Sequence, residues 1–177
     1  MKIVFFTFYY PPDLCAGSFR AIALAQALSK RMKNDDELHI ITTHPNRYEN
    51  HRVKASDIEV HGNITIHRIS VPSHKSGMFS QARTFVTYAL ASYKLCNKLN
   101  PDFLIGTTSR LMTGVLTGLS ARKLGCKYFI DLRDIFSETI SDIFSQKNKL
   151  LGSISKKTFS LLERWLFNKA TGVNVVS

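Results

Sequence analysis

The reading turns on Lys2-Ile3-Val4-Phe5-Phe6-Thr7-Phe8 and the loop after it, Tyr9-Tyr10-Pro11-Pro12-Asp13-Leu14-Cys15-Ala16-Gly17-Ser18-Phe19-Arg20. Residues 2–8 are apolar and β-branched or aromatic, without polar alternation, which is the pattern of a strand buried on both faces. The double proline ends it. Ser18 has the chemistry of a helix N-cap, and an amphipathic helix is expected from there, with Ala21, Leu24, Ala25, Leu28 and Met32 on one face. A buried strand feeding a helix puts the intervening loop at the carboxyl edge of a sheet, where open α/β sheets bind ligands.

Outward from this unit the same alternation continues. Strands are expected at 38–43, around the Gly62-Asn63 turn as a hairpin or a strand pair, at 102–106, at 127–131 and at 171–176. Helices are expected between them. One carries Ala82, Phe85, Val86, Ala89, Leu90 and Tyr93 on its core face. Another is capped by Ser109 and carries Met112, Val115, Leu116 and Leu119. A third runs over 149–169. Alternating strands and helices predict an α/β fold with a doubly wound, mainly parallel Rossmann-like sheet. The stretch 44–57 reads as a long polar loop, and 135–148 gives no clear pattern.

The chain has 177 residues, 44% of them apolar and 21% charged, which suits one globular domain. No apolar run reaches the roughly 18 residues that span a bilayer, and Pro11-Pro12 interrupts the N-terminal run before any signal-peptide cleavage pattern. A cytoplasmic location is therefore expected. Cys15, Cys96 and Cys126 have no CxxC spacing and read as reduced thiols. The six histidines share no helix face, so no metal site is expected.

The net charge of +11 favours an anionic partner. Nucleic acid is not expected, since no recognition motif is present and the aromatics fall at core spacing. Basic residues interleaved with Met78 and Phe79, and again over 147–169, fit an anionic membrane surface better. Lys75, Met78, Phe79 and Arg83 are the expected membrane contacts.

Several residues carry candidate chemistry. Neither G-x-G-x-x-G nor G-x-x-x-x-G-K-[ST] occurs, which argues against an NAD enzyme and a P-loop NTPase. Gly17 permits close backbone approach by a substrate or simply makes a turn. Arg20 opposes the helix dipole and so needs an anion: a ligand, Asp13, or another carboxylate. Asp131, Arg133 and Asp134 cluster at a strand's carboxyl end, either gripping a polar substrate or pairing among themselves. Ser109 and Arg110 follow the preceding strand in the same way.

Taken in order, the stretches Phe8–Asp13, Ala16–Arg20, Ile41–Tyr48, Asp131-Leu132-Arg133-Asp134-Ile135-Phe136, and Leu162-Glu163-Arg164 with Ala170–Ser177 resemble the N-terminal half of family-4 glycosyltransferases. Within that family the pattern is nearest to WbuB-type L-fucosamine transferases of bacterial O-antigen and lipopolysaccharide assembly. The resemblance implies the N-terminal, acceptor-binding half of a GT-B fold over 1–177, with the nucleotide-sugar domain lying beyond it. It implies retaining transfer from a nucleotide sugar to a lipid-linked saccharide at the inner membrane face, without a cofactor or metal. Asp13, Gly17, Ser18, Arg20, Ser109, Arg110 and Asp131 would line the substrate cleft. Arg133 and Asp134 would act at the reacting centre, arginine standing where many relatives have histidine and favouring electrostatic stabilisation over general base work. Two other readings stay open: a sugar-nucleotide epimerase half, and a binding module or partner subunit whose cleft another chain completes.

Overall fold

The computed structural model describes residues 1–45, 53–72, 78–108, 111–133 and 149–175; of residues 78, 79, 111, 149–152, 154 and 155 it describes the helical backbone alone. The strands are β1 (Lys2–Phe6), β2 (Glu37–Thr43), β3 (Ile58–His61), β4 (Ile64–Ile69), β5 (Phe103–Thr107), β6 (Lys127–Leu132) and β7 (Gly172–Val175). The helices are α1 (Ala16–Ser29), α2 (Met78–Leu99), α3 (Leu111–Leu124) and α4 (Lys149–Lys169).

The strands form one seven-stranded sheet in the order β3-β4-β2-β1-β5-β6-β7. Every pairing is parallel except β3 with β4, the hairpin expected at Gly62-Asn63, where Gly62 takes a positive φ of 59°. This is the mainly parallel α/β class expected from the strand–helix alternation. Apart from the edge strand β3, chain order runs outward from β1 in both directions, so β1 and β5 flank the point where the winding reverses. The loops leaving their carboxyl ends open a crevice there.

Each face of the sheet has its own core. On one, Ile3, Phe5, Leu38, Ile40, Ile64, Ile66 and Ile105 pack under α1, which contributes Ala21 and Ala25. On the other, Val4, Phe6, Ile41, Leu104, Ile130 and Leu132 pack under Phe85 and Tyr88 of α2, Leu116 of α3 and Leu166 of α4. Alternate β1 residues face opposite cores, and both sets are fully or almost fully buried, which is why the strand reads as continuously apolar.

Three expectations about the helices are corrected. The N-cap of α1 is Cys15, which makes no side-chain cap bond. Ser18 is instead the third residue of the helix and is fully buried, and Gly17 is its second residue, not a turn before it. On α2, Val86 and Leu90 are 53% and 60% exposed, while Thr84, Tyr88 and Ser92 are buried. The helix is rotated because Tyr88 drives its hydroxyl between the Thr7 and Ile41 carbonyls, 3.2 and 2.9 Å away, satisfying backbone at the ends of β1 and β2. On α3, Met112 and Leu119 are exposed, while Val115 and Leu116 are buried as expected, alongside the small residues Thr113, Gly114, Thr117, Gly118, Ser120 and Ala121. Small residues let the helix sit tight on the sheet. A Cβ on Gly106 of β5 would fall 2.1 Å from Thr117 Oγ1.

Candidate functional site at the carboxyl edge

The β1–α1 loop is anchored along its whole length. Thr43 Oγ1 donates to the Phe8 carbonyl at 2.7 Å, and Thr7 Oγ1 to Tyr9 O at 2.9 Å. The Asp13 N–H closes a turn onto Tyr10 O at 3.1 Å around a cis Pro11–Pro12 bond. Arg68 of β4, its side chain almost fully buried, donates to Pro11 O at 2.8 Å and pairs with Glu59 at 2.9 Å. Burial pushes the Tyr10 phenol up to about 12. These bonds deliver the chain into α1 with Ala16, Gly17 and Ser18 as its first turn, where a helix has no internal acceptors for its N–H groups. The Ser18 hydroxyl is buried and makes no hydrogen bond among the described residues.

One turn further, Arg20 reaches across the sheet to Asp131 of β6. Nε donates to Oδ2 at 2.7 Å and Nη2 to Oδ1 at 2.6 Å. Asn174 of β7, in register with Asp131, donates Nδ2 to the same Oδ1 at 2.8 Å. The Asp131 side chain is 2% exposed and that of Arg20 33%. The hydrogen bonds to Asp131 raise the Arg20 guanidinium above its ordinary value. Of the anions open to Arg20 in the sequence, the one it holds is a carboxylate, and it is Asp131, not Asp13. Among the described residues Arg133 makes no ion pair with Asp131. Arg133 instead donates its backbone N–H to Thr108 Oγ1 at 3.0 Å, and the Thr108 N–H returns to Asp131 O at 3.0 Å, which ties the carboxyl ends of β5 and β6 together.

Of the residues singled out from the sequence, Asp13, Gly17, Ser18, Arg20, Asp131 and Arg133 lie along this edge. Ser109, Arg110, Asp134 and Lys75 lie outside the described residues, as do the side chains of Met78 and Phe79. Arg83 is exposed on α2. Sequence reading missed Arg68, Thr108 and Asn174. Asn174 had a signal, a polar residue in an otherwise valine-rich strand. Arg68 had one too, a cation in an alternating strand, diagonal to Glu59 across the hairpin. Among the described residues no group of three His, Cys, Asp or Glu is arranged to hold a metal ion.

No family model matches the chain, and no curated protein matches it. Among solved structures it is similar to a ugt transferase from Siraitia grosvenorii in complex with UDP, at 17% identity and TM-score 0.48, over 80% of this chain and 31% of that one. It is also similar to Phytolacca americana UGT2 complexed with UDP-2fluoro-glucose and pterostilbene, at 14% identity and TM-score 0.43, over 82% of this chain and 34% of that one. The chain therefore spans about a third of the length of these structures.

Proposed function

We propose that this chain is the acceptor-side half of a retaining glycosyltransferase, one that moves a sugar from a nucleotide sugar to a lipid-linked saccharide in surface-polysaccharide or O-antigen synthesis. The observation that carries the reading is the arrangement at the β1/β5 crevice. The first turn of α1 carries Gly17 and the unbonded Ser18 hydroxyl, and a part-exposed Arg20 stands beside it. Helix N–H groups, a hydroxyl and a guanidinium suit the diphosphate and hydroxyls of such substrates. Arg133, at the end of β6, would stabilise negative charge developing on the leaving diphosphate, and Asp134 would act next to it. Ser109 and Arg110 would complete the wall on the β5 side. No cofactor or metal takes part in this reading.

The membrane part of the proposal is supported by the helical layer over the second core. Neither α2 nor α3 contains Asp or Glu, and the single carboxylate of α4, Glu163, is buried. Arg83, Lys94, Lys98, Arg122, Lys123, Lys157 and Arg164 are exposed on these helices, with Val86, Leu90 and Leu161 exposed between them. Cations around scattered apolar groups match an anionic lipid surface. No helix of the described residues is long and apolar enough to cross a membrane, so the contact proposed is peripheral.

The test is an assay of the full-length protein with a nucleotide sugar and a polyprenyl-diphosphate-linked saccharide. Transfer of sugar to the lipid is expected, with no change in the nucleotide sugar when it is supplied alone. Arg133→Ala is expected to cut transfer by roughly a hundredfold or more. Conversion of the nucleotide sugar without acceptor would replace this reading with the epimerase one.

A further inference from the structure

The amino edge of the sheet, opposite the crevice just described, carries a second concave site. The C-terminal ends of α3 and α4 and the start of β6 enclose a cleft of about 560 Å³. Its lining includes Arg122, Lys127, Lys169, Trp165, Tyr128 and Gly118, and among the described residues no carboxylate. The three cations come from three different elements and are exposed. Among the described residues none of them has an ion-pair or hydrogen-bond partner.

Helix dipoles explain part of this placement, since Arg122 and Lys169 lie in the last turns of their helices. They do not explain Lys127, which follows the Gly125 turn and begins β6. The carbonyls at these helix ends also have other donors. The Tyr128 hydroxyl donates to Leu166 O at 2.6 Å, the Cys126 N–H to Ala121 O at 3.1 Å and the Ala170 N–H to Phe167 O at 3.3 Å. Among the described residues the cationic heads thus have no ion-pair partner at the cleft. One side of the cleft is aromatic. A Cβ on Gly118 would fall 3.0 Å from Trp165 Cη2 and 3.0 Å from Leu166 Cδ1, so the glycine is what lets the indole lie against α3.

We propose that this cleft binds a phosphate-bearing anion, with the planar or apolar part of the ligand resting on Trp165. Three like charges around one concavity repel each other, and a multiply charged anion relieves that repulsion. Phosphate oxygens accept from both lysine ammonium and the arginine fork, and the indole offers a face for the rest of the molecule. The phosphate group belongs either to a soluble molecule or to a lipid head group. The site lies at the opposite edge from the transferase crevice and does not depend on that reading.

Trp165 is the chain's only tryptophan, so its fluorescence reports on this cleft alone. The whole chain is titrated separately with sodium pyrophosphate, with ADP, and with phosphatidylglycerol vesicles. A saturable change with a midpoint of roughly 1 mM or below is expected for at least one probe. Raised salt should shift that midpoint upward. Response to pyrophosphate or ADP identifies a soluble ligand, and response to vesicles alone identifies a head group. The R122Q/K127Q/K169Q variant changes only exposed side chains and is expected to weaken binding about tenfold or more. Lys30→Gln, which removes an exposed cation at the end of α1 outside both sites, should leave the midpoint unchanged. No saturable response to any of the three probes, or an undiminished response in the triple variant, overturns the proposal.

Discussion

Arg20 and Asp131, 111 residues apart in the chain, are joined by two parallel N–H···O bonds of 2.7 and 2.6 Å that tie the N-terminal half of α1 to the carboxyl end of β6. The fork crosses the β1/β5 crevice from α1 to β6, so it sets the distance between loops that line the proposed substrate site. It also gives Asp131 a counter-charge where the strand is buried.

The fork yields the first prediction. Arg20→Ala removes the cation and leaves the buried Asp131 carboxylate with Asn174 as its side-chain partner among the described residues. A loss of about 2 kcal/mol is expected, below the usual cost of breaking a buried pair because a third of the arginine side chain faces solvent. Arg20→Met combined with Asp131→Asn removes both charges and should cost less than the two single changes added together. Urea unfolding of the four proteins in the cycle measures this. Strict additivity would mean that the fork contributes nothing.

A second prediction concerns the seat of α3. Gly106→Ala would set a Cβ 2.1 Å from Thr117 Oγ1 and 2.9 Å from Thr117 Cβ, so either β5 or α3 must move. Such overpacking is expected to cost about 1–3 kcal/mol or somewhat more. Adding Thr117→Ala removes the obstructing hydroxyl and should recover part of the loss. Thermal melts of both variants decide it.

A third prediction is the acid limb of stability. His67 sits 3.0 Å from His39 across β2 and β4, and burial followed by the neighbouring imidazole lowers its pKa from the ordinary 6.5. Glu37 lies on the far side of His39, at 3.1 Å. Because the folded value is depressed, the unfolded chain takes up the proton first. Stability is therefore greatest above about 6.5 and falls as pH drops from there toward the folded value. His67→Asn should flatten this part of the profile. An unchanged slope between the two proteins would remove His67 as its source.

The fourth prediction is chemical. Cys96 is fully buried and its thiol is pushed up to about 12 by burial, so alkylation at neutral pH should spare it in the folded protein. Cys15, part-exposed at the start of α1, should be modified first. Mass mapping after brief iodoacetamide treatment reads the order, and unfolding in denaturant should make Cys96 react.

How much was legible beforehand differs from element to element. The apolar run at 2–8, the Gly62-Asn63 turn and the strand–helix alternation led directly to a mainly parallel sheet with one antiparallel hairpin. Helix faces were less legible. Val86 and Leu90 look like core residues by periodicity, yet Thr84, Tyr88 and Ser92 took the buried face of α2. The Thr84 and Tyr88 hydroxyls are buried readily because backbone carbonyls wait for them, and periodicity in hydrophobicity does not register that. Ser18 misled for a related reason. Its type suits an N-cap, but the turn at Tyr10–Asp13 and the anchoring of Pro11 by Arg68 start the helix earlier, at Ala16.

The amino-acid sequence by itself determined the local elements, their alternation and the residues that gather at the carboxyl ends of β1, β5 and β6. Those follow from short-range properties, namely residue shape, polarity and spacing along the chain. The tertiary structure alone decided which of those charges meet. Arg20 could have answered a ligand, Asp13 or Asp131, and the choice fell to Asp131 because parallel pairing sets β6 beside β5 and β7, with α1 lying over the same face. The amino-edge cleft is likewise a product of packing. Arg122, Lys127, Trp165 and Lys169 come from α3, β6 and α4, and their placement around one concavity depends on how those elements dock.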